Sequence, residues 1–244
     1  MHPAKTDYGI DAPGVIRNLF VIGVALFVLA RFLPLVTLGS VSFMLRPTAM
    51  WTGAACLLEG GAIIFYAQVG KFRPRDRMLG RVNWTGNEIV LDVGTGRGLL
   101  MIGAAKRLST GKAIGIDIWS KGDLSGNSRD KTLRNVELEG VSDRVEVKSD
   151  DATAMQFPDA SFDVVLANLC LHNIPSREGR DRACREIIRV LKPGGTAVIA
   201  DFKNTAKYVA ALQSAGAKAS RSRLDFLHTF PPLPIVEVVK ASAS

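Results

Sequence analysis

The chain has 244 residues, 47% of them hydrophobic, and its 31 Lys and Arg outweigh 23 Asp and Glu to give a net charge of +8. That length accommodates one α/β domain plus something smaller, and the hydrophobic excess, gathered before residue 70, argues against a wholly soluble chain. The three cysteines, Cys56, Cys170 and Cys184, are odd in number and lack metal-ligand spacing, which excludes a disulfide framework and leaves no metal site to expect.

Residues 1–17 mix charges with Pro3, Gly9, Pro13 and Gly14 and read as an irregular tail. Residues 18–38 are apolar apart from Arg31 and Thr37, with Pro34 as a kink site, and residues 48–69 form a second apolar run interrupted by Glu59. A helix needs about 20 apolar residues to cross a bilayer, so residues 18–70 are expected to form a two-helix transmembrane hairpin that turns at residues 39–47. A secretory signal is disfavoured, because Asp7 and Asp11 precede the first run and a second run follows without a small-x-small cleavage site. A buried soluble helical hairpin is the alternative. In an antiparallel hairpin Arg31 and Glu59 would approach as an ion pair; otherwise Arg31 reaches the outer interface and Glu59 pairs within a homo-oligomer.

Residues 71–87 read as a basic linker with a lead-in helix, since Lys71, Arg73, Arg75, Arg77 and Arg81 follow the second run directly. Positive charge beside a span marks the cytoplasmic side and suits anionic headgroups. Both ends of the hairpin, and everything after it, are therefore expected in the cytoplasm. Nucleic acid is disfavoured as a partner, because no base-reading motif accompanies the basic residues.

Residues 88–244 alternate strand and helix patterns, as a parallel α/β sheet does. A strand over residues 88–93 carries Asp92 into a turn with Gly94, Thr95, Gly96 and Gly98, and an apolar-faced helix follows over residues 99–108. Glycines let the backbone approach a ligand that a Cβ would block, and a helix start offers unpaired N–H donors. A dinucleotide fingerprint would place its third glycine where Leu99 stands, which disfavours an NAD-dependent oxidoreductase. A second strand over residues 112–118 ends in Asp117, where such sheets grip the vicinal hydroxyls of a ribose; Ile118 and Trp119 would flank an adenine. A helix over residues 128–139 leads to a third strand at 145–148 and to Asp150, Asp151 and Ala152. A fourth strand, residues 162–169, is apolar on both faces like a central parallel strand and delivers Asn168, His172 and Asn173 to its C-terminal end. A helix over residues 177–191 is broken by Lys192-Pro193-Gly194-Gly195; a fifth strand, 196–201, ends in Asp201. A helix at 207–214 and a strand pair at 219–230 and 235–240 complete the pattern.

The segments VLDVGTGRG, GIDIWS, SDDATAMQFPDASFDVVLANLCLHNI and REIIRVLKPGGTAVIADF together resemble the successive motifs of small-molecule, type 11-like class I S-adenosylmethionine (SAM)-dependent methyltransferases. The resemblance runs from residue 88 to 240. It implies a Rossmann-like sheet of seven strands, mostly parallel with an antiparallel C-terminal strand, preceded here by the two transmembrane helices. It also implies SAM as cofactor and S-adenosylhomocysteine as product. Asp92, Gly94, Thr95, Gly96 and Gly98 would hold the amino acid part, Asp117 the ribose, Ile118 the adenine face, and Asp151 with Ala152 the adenine edge; Asn168 would contact the cofactor or acceptor. His172 is the candidate catalytic base, with loop ordering as its alternative role, and Asp201 is a candidate facing the acceptor. No N-P-P-Y type motif stands at residues 168–171, which argues against methylation of amide or base nitrogens. With only a few residues between Asp201 and the next helix to build a lid, the acceptor is expected to be a small lipophilic molecule entering from the bilayer: a quinone, isoprenoid, lipid or hydrophobic thiol or phenol. A membrane-tethered, non-catalytic SAM-binding protein is the alternative.

Overall fold

The computed structural model describes residues 5–33, 36–38, 41–224 and 233–242. Five strands run parallel: β3 (Ile89–Val93), β4 (Lys112–Asp117), β5 (Val145–Ser149), β6 (Phe162–Asn168) and β7 (Leu191–Ala200). β9 (Ile235–Lys240) pairs antiparallel with both β7 and β8 (Ala217–Arg221), so the sheet order is β5-β4-β3-β6-β7-β9-β8. This is the expected mixed, seven-stranded, Rossmann-like sheet. The chain winds outward from β3 in both directions, so the loops after β3 and β6 diverge and leave a crevice at the strand C-termini, where ligands bind in such sheets.

Alternating residues of the central strands feed two cores. Leu91, Val93 and Val165 face α6 (Arg177–Val190) and α7 (Thr205–Ser214), packing against Ile187 and Leu212. Val90 and Val164 face α3 (Phe72–Leu79), α4 (Leu99–Ala105) and α5 (Arg129–Leu138), meeting Met78, Leu79 and Leu100. Ser128 caps α5, its hydroxyl accepting from the Lys131 amide at 3.4 Å. The helix within the stretch after the apolar runs, α3, packs on the sheet: Met78 and Leu79 are fully buried, and Arg81 beyond it pairs with Glu237 of β9 at 2.8 Å. Its basic charge is also partly consumed within the protein, because Lys71 is buried and Arg75 pairs with Asp76 at 2.8 Å. β7 begins at Leu191 rather than 196. The Lys-Pro-Gly-Gly run continues it as strand, with a register shift opposite Phe162 and Val164, and Lys192 bonds Asp163 at 2.8 Å. Of the expected strand at 219–230, residues 225–230 lie outside the described residues, and β8 ends at Arg221.

The apolar runs form α1 (Pro13–Ala30) and α2 (Leu45–Phe65), the latter prolonged by a π-helical turn, Tyr66–Gly70. Helix α1 starts earlier than expected because Pro13 presets the first-turn geometry. The connection is a small antiparallel pair, β1 (Val36–Leu38) and β2 (Val41–Phe43), in place of a plain turn; Pro34 lies outside the described residues. Both helices are long and apolar enough to cross a membrane by length and composition. Val21, Val28, Trp51, Leu58 and Phe65 face outward and are more than half exposed, the opposite of a buried soluble hairpin.

Small residues bring the two helices together. A Cβ on Gly23 would stand 3.0 Å from the Gly53 carbonyl, one on Gly53 would stand 3.1 Å from the Phe27 ring, and one on Gly60 would meet the Phe20 ring at 2.9 Å. This register sets Phe20 opposite Gly60. Arg31 then lies about 15 Å farther along the axis than Glu59, at about 1.5 Å per residue, so the expected ion pair does not form and both side chains are exposed. Close approach of this kind drives helix association where no hydrophobic force separates helix from lipid. Gly53→Leu should destabilise the hairpin by about 1–3 kcal/mol through overpacking, read as a lower melting temperature of helical circular dichroism in detergent. Gly61→Leu, which adds a side chain into open space, should leave that temperature unchanged.

Candidate active site

The turn after β3 is held by its own backbone and by the end of β4. Gly94, Gly96 and Gly98 adopt left-handed φ of 71°, 54° and 86°, and a Cβ on Gly94 would fall within 2.6 Å of Cys170 Cβ, so this position requires glycine. The amides of Gly94 and Thr95 donate to the Ile116 carbonyl at 2.9 Å, Gly98 donates to Thr95 O at 2.8 Å, and Gly96 donates to the Asp117 carboxylate at 2.8 Å. Most donors that the sequence suggests for a ligand therefore serve the turn itself. Asp92 is buried, and its Oδ2 accepts from Thr95 Oγ1 at 2.8 Å and the Met101 amide at 3.0 Å, tying β3 to the first turn of α4. Burial pushes its carboxyl up to about 7, Thr95 and Met101 pull it down, and the Asp117 charge adds to the rise.

Asp117 ends β4 with three protein donors already in place: Gly96 N on Oδ2, Trp119 N on Oδ1 at 2.6 Å, and Asn127 Nδ2 on Oδ1 at 3.1 Å. A carboxylate offers about four acceptor directions, so one ribose hydroxyl fits beside these donors and a two-hydroxyl grip displaces one of them. Ile118 is exposed and lines the same cavity. Trp119 does not line it; at φ 62° it turns away, its indole donating to Ser149 Oγ at 2.7 Å. After β5, Asp150 accepts from the amides of Asp151 and Gln156, both at 2.9 Å, while Asp151 accepts from Thr153 N at 2.7 Å. Asp151 and Ala152 line the cavity, as does Asn168, whose buried Oδ1 has no protein partner.

His172 and Asp201 come together outside the cavity wall. His172 Nδ1 stands 2.8 Å from Asp201 Oδ1, off the line of a well-directed N–H bond, while the His172 amide donates to Asp201 Oδ2 at 3.0 Å and Tyr208 Oη donates to it at 3.3 Å. Asp201 is fully buried, and His172 packs edge-on against Phe202. The cluster fastens the loop after β6 to the end of β7.

The cavity's remaining walls come from chain that the sequence left as tail and linker. Residues 7–12 lie as a strap over the glycine turn. Asp11 bridges Leu124 in antiparallel fashion, Ala12 N donates to Asp123 O at 2.9 Å, and Ile10 N to Ser125 Oγ at 2.8 Å. Arg97, buried inside the turn, pairs with Asp7 and donates to Ser125 O. Lys71 is buried beneath the strap and donates to Tyr8 O at 2.8 Å and Gly9 O at 2.6 Å. Burial lowers its affinity for a proton, against the pull of Asp11 and Asp7. Tyr8, Asp11, Tyr66 and Lys71 thus join Asp92, Gly94, Asp117, Asp151 and Asn168 around one cavity of about 470 Å³, within the usual range for small-molecule sites. No local pattern could have revealed the strap, since its contacts are to residues some 60 to 130 positions away.

A glycine turn between acidic strand ends, a strap above it, and a mixed sheet wound outward from β3 together shape a small-molecule crevice. Comparison with known proteins supports a methyltransferase enzyme with SAM as its cofactor: residues 91–199 match the methyltransferase domain family. The chain is 35% identical over 133 residues to 27-O-demethylrifamycin SV methyltransferase of Amycolatopsis mediterranei, covering 53% of this chain and 44% of that one. It is 36% identical over 115 residues to the ubiquinone/menaquinone biosynthesis C-methyltransferase UbiE of Hydrogenovibrio crunogenus, covering 47% and 42%. The chain thus spans less than half the length of these relatives. A SAM-dependent methyltransferase from Aquifex aeolicus shares the fold at a TM-score of 0.54 and 20% identity, covering 68% of this chain and 88% of that one. The residues present fit that cofactor: Asn168 Oδ1 offers an unused acceptor, Asp117 has one acceptor direction left, and both line the cavity beside Asp92.

Proposed function

We propose that this chain is a membrane-anchored methyltransferase that uses SAM to methylate a small lipophilic acceptor. One observation carries the reading: the cavity that holds Asp92, Asp117 and Asp151 is closed by Asp11 and Tyr66, which stand where α1 begins and α2 ends. A molecule dissolved beside the hairpin's outward apolar faces reaches the cavity without crossing water. Because α1 leaves and α2 returns at the same side, both ends and the catalytic domain sit on the cytoplasmic face in this reading. The names of the two relatives speak of a demethylrifamycin and of ubiquinone and menaquinone biosynthesis.

In this reading Asp92 and the turn at residues 94–98 hold the amino acid part of the cofactor, Asn168 accepts from its ammonium, and Asp117 accepts from a ribose hydroxyl. Ile118 covers the adenine face, with Asp151 and Ala152 at its edge. The bound cofactor supplies an electrophilic methyl group; the chain's own contribution is positioning and the exclusion of water. His172 and Asp201 are read as positioning residues rather than as base and acceptor contact, since neither reaches the cavity.

The test uses the full chain in nanodiscs with methyl-labelled SAM, offered lipid and aqueous extracts of a bacterium separately. Label is expected in the organic phase and lost with Asp117→Ala. Label in aqueous product alone would reduce the hairpin to an address, and no transfer with SAM still bound would leave a binding protein.

A further inference from the structure

The matched methyltransferase segment, residues 91–199, contributes the cofactor side of the cavity, whereas Asp11, Tyr66 and Lys71 precede it in the chain. Among these three, Asp11 stands apart chemically. Its backbone is fixed by the bridge to Leu124 and by the neighbouring Ala12 bond to Asp123. Its carboxylate, however, accepts no hydrogen bond from any other residue among those described. Lys71 supplies a positive field but spends its donors on the Tyr8 and Gly9 carbonyls. A half-buried carboxylate that lines a cavity without a donor is left partly unsatisfied, and a ligand hydroxyl in the cavity supplies the missing donor. The cofactor's own ammonium has another acceptor available in Asn168 Oδ1, and Asp11 belongs to the strap beside the hairpin.

We infer that Asp11 is the acceptor-facing catalytic residue and that the acceptor presents a hydroxyl group to it. The inference rests on the methyltransferase reading above. As the acceptor oxygen bonds to the methyl carbon and the carbon–sulfur bond breaks, the hydroxyl proton passes to an Asp11 oxygen. The products are a neutral methyl ether, a neutral thioether and a protonated Asp11, which then returns its proton to water. Tyr66 and Lys71 bound the same end of the cavity, so the hydroxyl-bearing ring enters at the base of the hairpin.

Asp11→Asn preserves size and leaves every backbone contact of the strap intact. The probe is an alkylated nitrophenol, titrated by absorbance into nanodisc-held full-length protein saturated with S-adenosylhomocysteine. Wild type should bind it, and Asp11→Asn should bind it at least about tenfold more weakly, as loss of a hydrogen bond to a charged group predicts. Affinity for S-adenosylhomocysteine should stay within about twofold. Turnover on the labelled lipid extract should fall about 100-fold and return in part with Asp11→Glu. Equal probe binding by wild type and Asp11→Asn would overturn the inference, as would no binding by wild type. It would also fail if Asp11→Asn weakened S-adenosylhomocysteine tenfold with the probe unaffected, which would assign Asp11 to the cofactor, or if the product carried its methyl on carbon. Absence of transfer by wild type to any extract sinks the methyltransferase reading alone, because the probe titration still decides where Asp11 faces.

Discussion

Asp117→Asn should be nearly as damaging as Asp117→Ala, although the side chains of Asp and Asn are the same size. Both carboxylate oxygens accept from N–H groups: Oδ2 from Gly96, Oδ1 from Trp119 and Asn127. Whichever way an amide is turned, its NH₂ faces a donor, and at least one buried N–H loses its partner at about 1–3 kcal/mol. The same carboxylate sets the path of the glycine turn through Gly96 and has one acceptor direction left for the cofactor. Both substitutions are therefore expected to weaken SAM binding by about 100-fold, counting the lost charge-assisted bond and the loosened turn. They should also lower the domain's stability to urea by about 2–3 kcal/mol. Isothermal titration with SAM decides the point; Asp117→Asn binding within threefold of wild type would refute it.

Asp92 predicts the opposite outcome for the same substitution. Its two partners, Thr95 Oγ1 and Met101 N, both address Oδ2, so an Asn at this position satisfies both with its single carbonyl oxygen. What it removes is a buried charge. With the folded carboxyl near 7 and an ordinary value of 3.8, the native state binds the proton more tightly than the unfolded chain. This group therefore costs nothing below about pH 4, and stability falls as pH rises through the window from about 4 to 7. At about 1.4 kcal/mol per unit the full effect is of order 4 kcal/mol. Asp92→Asn should erase that slope and make the domain the more stable of the two at pH 8, measured by thermal unfolding across pH 5–8. Its cost should appear in binding. Wild-type affinity for the cationic cofactor should rise as pH climbs toward 7, and the variant's should stay low and flat. A wild-type stability that does not decline between pH 5 and 7 would count against the buried charge.

The contrast between these two acids shows how far residues alone go. That Asp92, Asp117 and Asp151 gather at one crevice was legible from position, because a strand, its terminal acid and the following turn are local in sequence and recur with each βα unit. The sheet and its helices were legible for the same reason: periodicity, glycines and caps act over a few residues. Which oxygen of Asp117 takes which donor is not local, for it depends on Asn127 and Gly96 arriving from separate elements.

The amino-acid sequence by itself determined the seven-stranded α/β architecture, the acidic strand ends and the two apolar helices, since each rests on short-range pattern and on the balance of apolar surface. Tertiary structure alone decided that residues 7–12 form a strap over the glycine turn, that Lys71 is buried beneath it rather than facing headgroups, and that Arg31 and Glu59 lie too far apart to pair. It also moved His172 and Asp201 out of the cavity and brought Asp11 and Tyr66 into it. These are contacts between distant segments, set by helix register and by where polar backbone finds partners, and no periodicity in the chain encodes them.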